Sequence, residues 1–343
     1  MKKKILYISL LILLLLITWN FQLLSYGLSQ AYGQLTIVWN TKPVEEVLND
    51  KYVPDSIKQK LILISEIKKF AFDSLGINEN ENYITFFDQK GKPILWVVTA
   101  CPPFEMKAYE WDFPILGRFS YKGYFNHEKA LTEEKKYSTL GYDTDVGEVS
   151  AWSTLGWLKD PILSSMLKRK PGSLANLIIH ELTHGTLYVK DNVDFNENLA
   201  SFVGDFGARK FLIQKYGASS KEFLDYEKGL KVNKEYSERT LEWAKRLDSL
   251  YKKFDYNYPL EKKQLLKNEM INAARNDLTS YLKENNYYTT SYDKVFKNLN
   301  NTYFNDYVTY RSQQNSFDEE FRTKFHSNFP SYMLFLKKKY PSM

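Results

Sequence analysis

Two of this chain's four histidines stand four residues apart around a single glutamate, in the stretch His180-Glu181-Leu182-Thr183-His184. No other feature restricts the fold as strongly, because the two imidazoles act together only if the backbone there is helical. The run before it, Leu174-Ala175-Asn176-Leu177-Ile178-Ile179, is apolar and helix-compatible. On a helix, positions i and i+4 stack on one face, so His180 and His184 can reach one cation. Glu181 falls on the adjoining face, where a general base for hydrolysis would stand. Gly172-Ser173 offers the helix start, with Ser173 as N-cap, and the turn signal Lys190-Asp191-Asn192 ends the segment.

A second helical pattern opens at Asn196-Glu197 and runs through Leu199, Phe202, Val203, Phe206 and Phe211, with Asn196 as its cap. Glu197 then lies in its first turn, aimed back at the first helix. A catalytic zinc site takes three protein ligands and leaves a fourth position for water. His180, His184 and Glu197 supply two nitrogens and a carboxylate oxygen, so the expected cofactor is one Zn2+ ion. The chain has one cysteine, so no thiolate cluster competes for the metal. The plain alternative is a helix that carries both histidines by chance, hydrogen-bonded and without metal. The helix signals around the motif and the placement of Glu197 argue against it.

The N-terminus reads as membrane-targeting. Lys2, Lys3 and Lys4 precede an apolar run over residues 5–19, and Phe21, Leu23 and Leu24 extend it to about the span of a bilayer. Lysines before a span predict a cytoplasmic N-terminus and an exported body, periplasmic or extracellular. A cleaved signal peptide is the competing reading, since Ser29-Gln30-Ala31 resembles a small-residue cleavage site. The apolar segment is longer than a usual signal core, which favours an uncleaved anchor over residues 1–28. No cysteine lies near it, so a lipoprotein box is absent. The net charge of +6 is spread as lysine interleaved with aspartate and glutamate, without a dense basic stripe, so nucleic acid is not an expected partner. Cys101 follows the apolar stretch Trp96-Val97-Val98-Thr99-Ala100 and reads as a packed, inert thiol.

The remaining pattern is α+β. A helix is expected over residues 55–75, stopped by Gly76, and strands over 83–87 and 94–100, joined by a turn-rich segment as a hairpin or meander edge. Short aromatic strands or loops fill 111–125, a polar helix 128–140 and a strand–loop region 142–157. From residue 220 onward the pattern is almost wholly helical. After the anchor, residues 29–343 form one catalytic domain: a sheet-containing part at 29–170, the metal-binding helices at 171–216 and a helical C-terminal part at 217–343. A peptide or protein substrate would lie along a sheet edge by β-augmentation, with 94–101 or 149–154 as candidate edge strands.

Several segments together resemble the bacterial predicted aminopeptidases, a family of membrane-associated or lipoprotein zinc peptidases. They are Gln30-Ala31-Tyr32-Gly33-Gln34-Leu35, Tyr121-Lys122-Gly123-Tyr124-Phe125, the run from Ser153 through Trp157-Leu158-Lys159-Asp160-Pro161 to Ser164, and His180 through Phe195-Asn196-Glu197 to Val203. Asn300-Asn301 and Thr309-Tyr310 extend the likeness toward the C-terminus. The resemblance implies a zincin-like, gluzincin-type metallopeptidase in which the Glu197 helix supplies the third ligand. This chain departs from the family in lacking a lipobox cysteine. Its linker from His184 to Glu197 is also shorter than in the large gluzincin aminopeptidases, so their substrate-pocket residues do not transfer.

The chemistry that follows is metal-assisted amide hydrolysis. Glu181 takes the water proton and passes it to the leaving amine. Tyr310 is the expected donor to the tetrahedral oxyanion, with a packed aromatic as its plain reading. Asp160 either orients a ligand histidine or serves a turn before Pro161. Glu105, Glu110, Asp112 and Glu148 are available to hold a substrate amino group, and nothing in their spacing marks one of them. Aminopeptidase and endopeptidase action therefore both stay open. A non-catalytic, membrane-anchored zinc-binding scaffold is the rival from another class. His127 and His326 have no motif around them and are expected at the surface.

Overall fold

The computed structural model describes residues 21–113, 117–148, 159–190, 192–311 and 314–340. From the N-terminus come α1 (Phe21–Trp39), β1 (Lys42–Pro43), α2 (Val44–Asn49) and α3 (Asp55–Leu75). The strands β2 (Thr85–Phe87), β3 (Trp96–Cys101), β4 (Trp111–Phe113), β5 (Gly117–Phe119) and β6 (Lys122–Tyr124) follow. Then come α4 (His127–Thr139), β7 (Asp143–Glu148) and β8 (Ile162–Leu163). The rest is helical: α5 (Pro171–His184), α6 (Val193–Tyr216), α7 (Lys221–Tyr251), α8 (Leu260–Glu284), α9 (Thr290–Lys297), α10 (Asn301–Arg311), α11 (Gln314–Phe325) and α12 (Phe329–Lys339). The chain is α+β and mostly helical, with small sheets.

Helix α3 shows how pattern becomes structure. Leu61, Ile64, Ile67, Ala71 and Leu75 recur at three- and four-residue spacing and are all buried. Gly76 ends the helix at φ +62°, a left-handed conformation that glycine adopts without a Cβ clash.

The strands expected as one hairpin belong to different sheets. β2 pairs antiparallel with β1 and parallel with β8, at Lys42↔Phe86 and Phe86↔Ile162. β3 is the centre of a second sheet, in the order β6-β3-β7. The turn after β2 does not return the chain to it, because other partners already hold it. The Ser164 amide donates to the Phe87 carbonyl at 3.1 Å, the Gln89 amide to Ser164 Oγ at 3.0 Å and the Ser165 amide to Gln89 Oε1 at 2.9 Å.

Among the described residues three apolar clusters form. The largest joins α3 and α5 to α6, α11 and α12 through Ile64, Ile67, Ile178, Leu182, Val203 and Tyr332, all with at most 1% exposure. Each such side chain stabilises the fold by about 1.5–3 kcal/mol on burial. A second fills α7 to α10, and a third lies between β3, β6 and α4 around Val98, Tyr124 and Tyr137. Polar joints bind sheet to helices. Lys267 of α8 is 3% exposed and ion-pairs with Asp143 of β7 at 2.6 Å. The Asn301 amide also donates to Asp143 at 3.0 Å, and Tyr251 OH donates to Asn301 Oδ1 at 2.8 Å.

Two of the family-like segments meet. Tyr26 OH and Gln30 Nε2 of α1 both donate to the Gly123 carbonyl, at 2.9 and 3.0 Å. Gly33 lies flat against the Phe125 ring. α1 therefore runs unbroken across the boundary expected at 28/29. Residues 1–20, most of the expected span, lie outside the described residues. Among the described residues no helix is long and apolar enough to cross a membrane.

Candidate metal centre

α5 starts earlier than the sequence suggests. Pro171 takes the first helical position, where its missing N–H costs nothing, and Lys170 precedes it as cap residue without a side-chain bond. Ser173 is inside the first turn and does not cap. α6 likewise starts at Val193, and Asn192 caps it by accepting from the Phe195 amide at 3.2 Å. Asn196, expected as that cap, has a different task. Its side-chain amide bonds both the N–H and the C=O of Val189, each at 2.8 Å, and it is 1% exposed. Those two bonds hold the turn between the helices beside Glu197.

Glycines let α5 and α6 pack closely. A Cβ on Gly204 would stand 3.0 Å from the Asn176 carbonyl, and one on Gly207 would stand 2.8 Å from Ile179 Cδ1. Asp205 ties the neighbouring turns, accepting from Asn176 Nδ2 at 2.7 Å and Tyr226 OH at 3.1 Å.

This packing brings the three expected ligands together. His180 Nε2 lies 3.3 Å from Glu197 Oε2, His184 Nε2 lies 3.5 Å from Glu197 Oε1, and the two Nε2 atoms are 3.3 Å apart. One ligand atom from each residue falls within 4.8 Å of the others, so the triad could hold a metal ion. The donor chemistry fits. Burial first, then His180, holds His184 down to about 4 against the pull of Glu197, so its imidazole is neutral at ordinary pH, as a ligand must be. Burial pushes Glu197 up, but hydrogen bonding to His180 and electrostatic attraction to the two histidines prevail and hold it below its usual range.

Glu181 stands in the same field. Burial above all, with the charges of Glu197 and Asp160, raises it to about 7, while His180 and Arg169 pull the other way. Asp160 is 1% exposed, and its backbone is pinned by Asn82 Oδ1 at 3.1 Å and the Tyr83 amide at 2.7 Å. It does not orient His184, whose Nδ1 is buried without a hydrogen-bond partner among the described residues. Tyr83, which feels the charges of Glu181 and Asp160, has φ +61° and a buried hydroxyl without a hydrogen-bond partner among the described residues.

Two tyrosines flank the triad that the motif reading did not select. The Tyr188 ring lies 6.0 Å from that of His184. Burial first, and then the charges of Glu197, Tyr188 and Glu181, raise Tyr121 to about 12. Its signal was available, since it opens the Tyr121–Phe125 segment that meets α1. Tyr310 lies in the last turn of α10, a helix that packs on α6, and its side chain is outside the described residues.

Other expectations separate cleanly. Glu105, Glu110, Asp112 and Glu148 are all exposed, and Asp112 and Glu148 pair with Arg118 and Lys294. Residues 94–101 are not a free edge, because Trp96–Cys101 pairs with β7 along its length and with β6 at Trp96, Val97 and Val98. The second candidate edge, 149–154, lies outside the described residues. Cys101 is buried, its thiol bonds the Glu105 and Lys107 carbonyls at 3.2 and 3.0 Å, and burial pushes it up to about 12. His127 and His326 are exposed.

The family described as "Putative aminopeptidase" matches residues 25–338. No curated protein and no solved structure matches the chain.

Proposed function

The chain belongs to this aminopeptidase family, and we propose that it is a membrane-anchored, zinc-dependent peptidase that hydrolyses peptides from the free N-terminus. The observation that carries the reading is the convergence of His180, His184 and Glu197 with Glu181 alongside. Bonds of 2.0–2.1 Å in a tetrahedron separate ligand atoms by about 3.4 Å, and the observed separations of 3.3–3.5 Å match that spacing. Two imidazoles and one carboxylate also suit zinc better than the hard cations, which prefer oxygen. The fold is read as zincin-like, with α5 as the metal helix and 29–343 as the catalytic domain.

A zinc ion at this place would acidify a water toward neutrality and polarise the scissile carbonyl. The rest falls to the chain's own side chains. Glu181 accepts a proton from the attacking water and returns it to the leaving amine. A carboxyl held near neutrality suits both transfers. The Tyr121 hydroxyl stays protonated at working pH and donates to the carbonyl oxygen as negative charge grows there. Its electrostatic coupling to both Glu181 and Glu197 makes it a candidate for this role beside Tyr310. β7, an edge strand of its sheet, is the side on which an extended peptide would add. Residues 1–28 are read as the anchor, with a cytoplasmic N-terminus and an exported body.

The test uses the full chain, purified in detergent, with metal analysis and a peptide series bearing free or acetylated N-termini. Glu181→Gln should keep the metal and lose about 10²–10⁴ in kcat. Unchanged turnover in that variant would sink the mechanism. Cleavage of acetylated peptides at internal bonds would make the enzyme an endopeptidase of the same chemistry.

A further inference from the structure

α1 contains no charged residue over its whole length, Phe21–Trp39. Its two faces differ sharply. Tyr26, Gln30, Gly33 and Ile37 turn inward, bonding the Gly123 carbonyl and packing on Phe125. Phe21, Leu24, Leu28, Tyr32, Leu35 and Trp39 turn outward and are 39–72% exposed. At 100° per residue these six fall within an arc of roughly 80°, a single stripe about 28 Å long. A contiguous, charge-free apolar stripe of that length in water needs a partner.

The structure and sequence together point to one occupant. The twenty residues before Phe21 carry Lys2, Lys3 and Lys4 and then the apolar run 5–19, and they end where the exposed stripe begins. Tyr32 and Trp39, with apolar bodies and polar tips, are side chains that favour a membrane interface. Lys129, whose Nζ is 3.5 Å from Ser29 Oγ, flanks the helix where a phosphate headgroup would lie. We propose that the outer stripe of α1 lies in the bilayer surface, with its apolar side chains at the headgroup–acyl boundary and the catalytic body held against the membrane. The inference rests on the anchor reading of the N-terminus, and it narrows that anchor to the residues before Phe21. The inner face cannot enter lipid, because it is bonded to the sheet. The helix therefore lies along the surface instead of crossing it.

The full chain is reconstituted in vesicles of phosphatidylcholine and phosphatidylglycerol, with one fluorescent thiol label at Leu28→Cys, Leu35→Cys or Tyr256→Cys. Cys101 is the sole native cysteine and is buried, so background labelling is low. Tyr256 is 100% exposed and serves as the aqueous control. Labels at 28 and 35 should be quenched by spin-labelled lipid and lose most of their quenching by aqueous iodide, with the reverse at 256. Vesicle flotation with iodide-accessible labels at 28 and 35 overturns this inference and keeps the anchor. Failure to float overturns both. Short-range coupling between spin labels at 28 on two chains makes a second copy the occupant and also overturns it.

Discussion

His184 Nε2 lies 3.5 Å from Glu197 Oε1 across a joint between two helices, and Asn196, the residue before Glu197, holds that joint. The neighbour's grip on Val189 thus fixes the turn beside the carboxylate. Asn196→Ala removes both 2.8 Å bonds from a buried site. Urea unfolding should show a loss of about 2–4 kcal/mol, because the Val189 groups are left unpaired. Metal affinity, read by competition with a chelator, should fall about 10–100-fold, as for other residues that orient ligands. Loss of stability with unchanged metal affinity would confine Asn196 to a structural role.

Removing the metal should destabilise the fold without unfolding it. The clusters around α3, α5 and α6 are apolar and do not include the triad. Metal at a free concentration about 100-fold above its Kd stabilises the native state by about 2.7 kcal/mol. Chelation should lower Tm by the corresponding amount while far-ultraviolet circular dichroism at room temperature stays unchanged. Collapse of that spectrum on chelation would make the site structural.

Tyr121→Phe tests the oxyanion donor. The variant deletes one hydroxyl that is electrostatically coupled to both carboxylates and keeps the ring. The expected loss is about 10²–10³ in kcat, with KM and metal content nearly unchanged. Tyr310→Phe should remain within a few-fold of the native enzyme. The reverse pattern would return the role to Tyr310.

What was legible in the sequence was local. The i, i+4 spacing of His180 and His184 and the helical pattern after Glu197 encode the triad, since each helix needs only its own residues to form. The caps were misplaced because Pro171 and Asn192 compete with equally plausible neighbours, and Asn196 is drawn away by Val189. Sheet pairing was not legible. β1 and β8 are two residues each, too short for an alternation to show, and their common partner β2 is far from both in sequence. Tyr121 opens a family-like segment, but it is one of 26 tyrosines, and only the folded chain couples it electrostatically to Glu181 and Glu197.

Gly33→Ala should loosen α1 from the sheet. A Cβ there would stand 2.1 Å from Phe125 Cδ2 and 2.3 Å from Cγ, so the whole ring must move. Alanine gains about 0.5–1 kcal/mol over glycine in a helix, but overpacking costs about 1–3 kcal/mol. The net effect should be a lower Tm. Phe125→Leu in the same background should restore part of the loss, and a raised Tm in Gly33→Ala alone would refute the close fit.

The third cluster carries a pH signature at Glu133. Its carboxylate accepts from Lys122 Nζ at 3.0 Å and Trp111 Nε1 at 3.3 Å. Burial pushes Glu133 up, but the bonds from Lys122 and Tyr124 outweigh it and hold its proton affinity below the usual 4.5. The sign follows from linkage: the folded state binds this proton less readily than the unfolded one. Its stabilisation is therefore fully present above pH 4.5 and is lost as pH falls through the depressed folded value. Glu133→Gln should cost about 2–4 kcal/mol at neutral pH, since Lys122 is left without its charge partner. Urea unfolding of both proteins from pH 7 down to pH 3 isolates this group from the other carboxylates, which titrate in both. The gap between native and variant should narrow steadily below pH 4.5, and a gap independent of pH would show that Glu133 contributes packing and no charge.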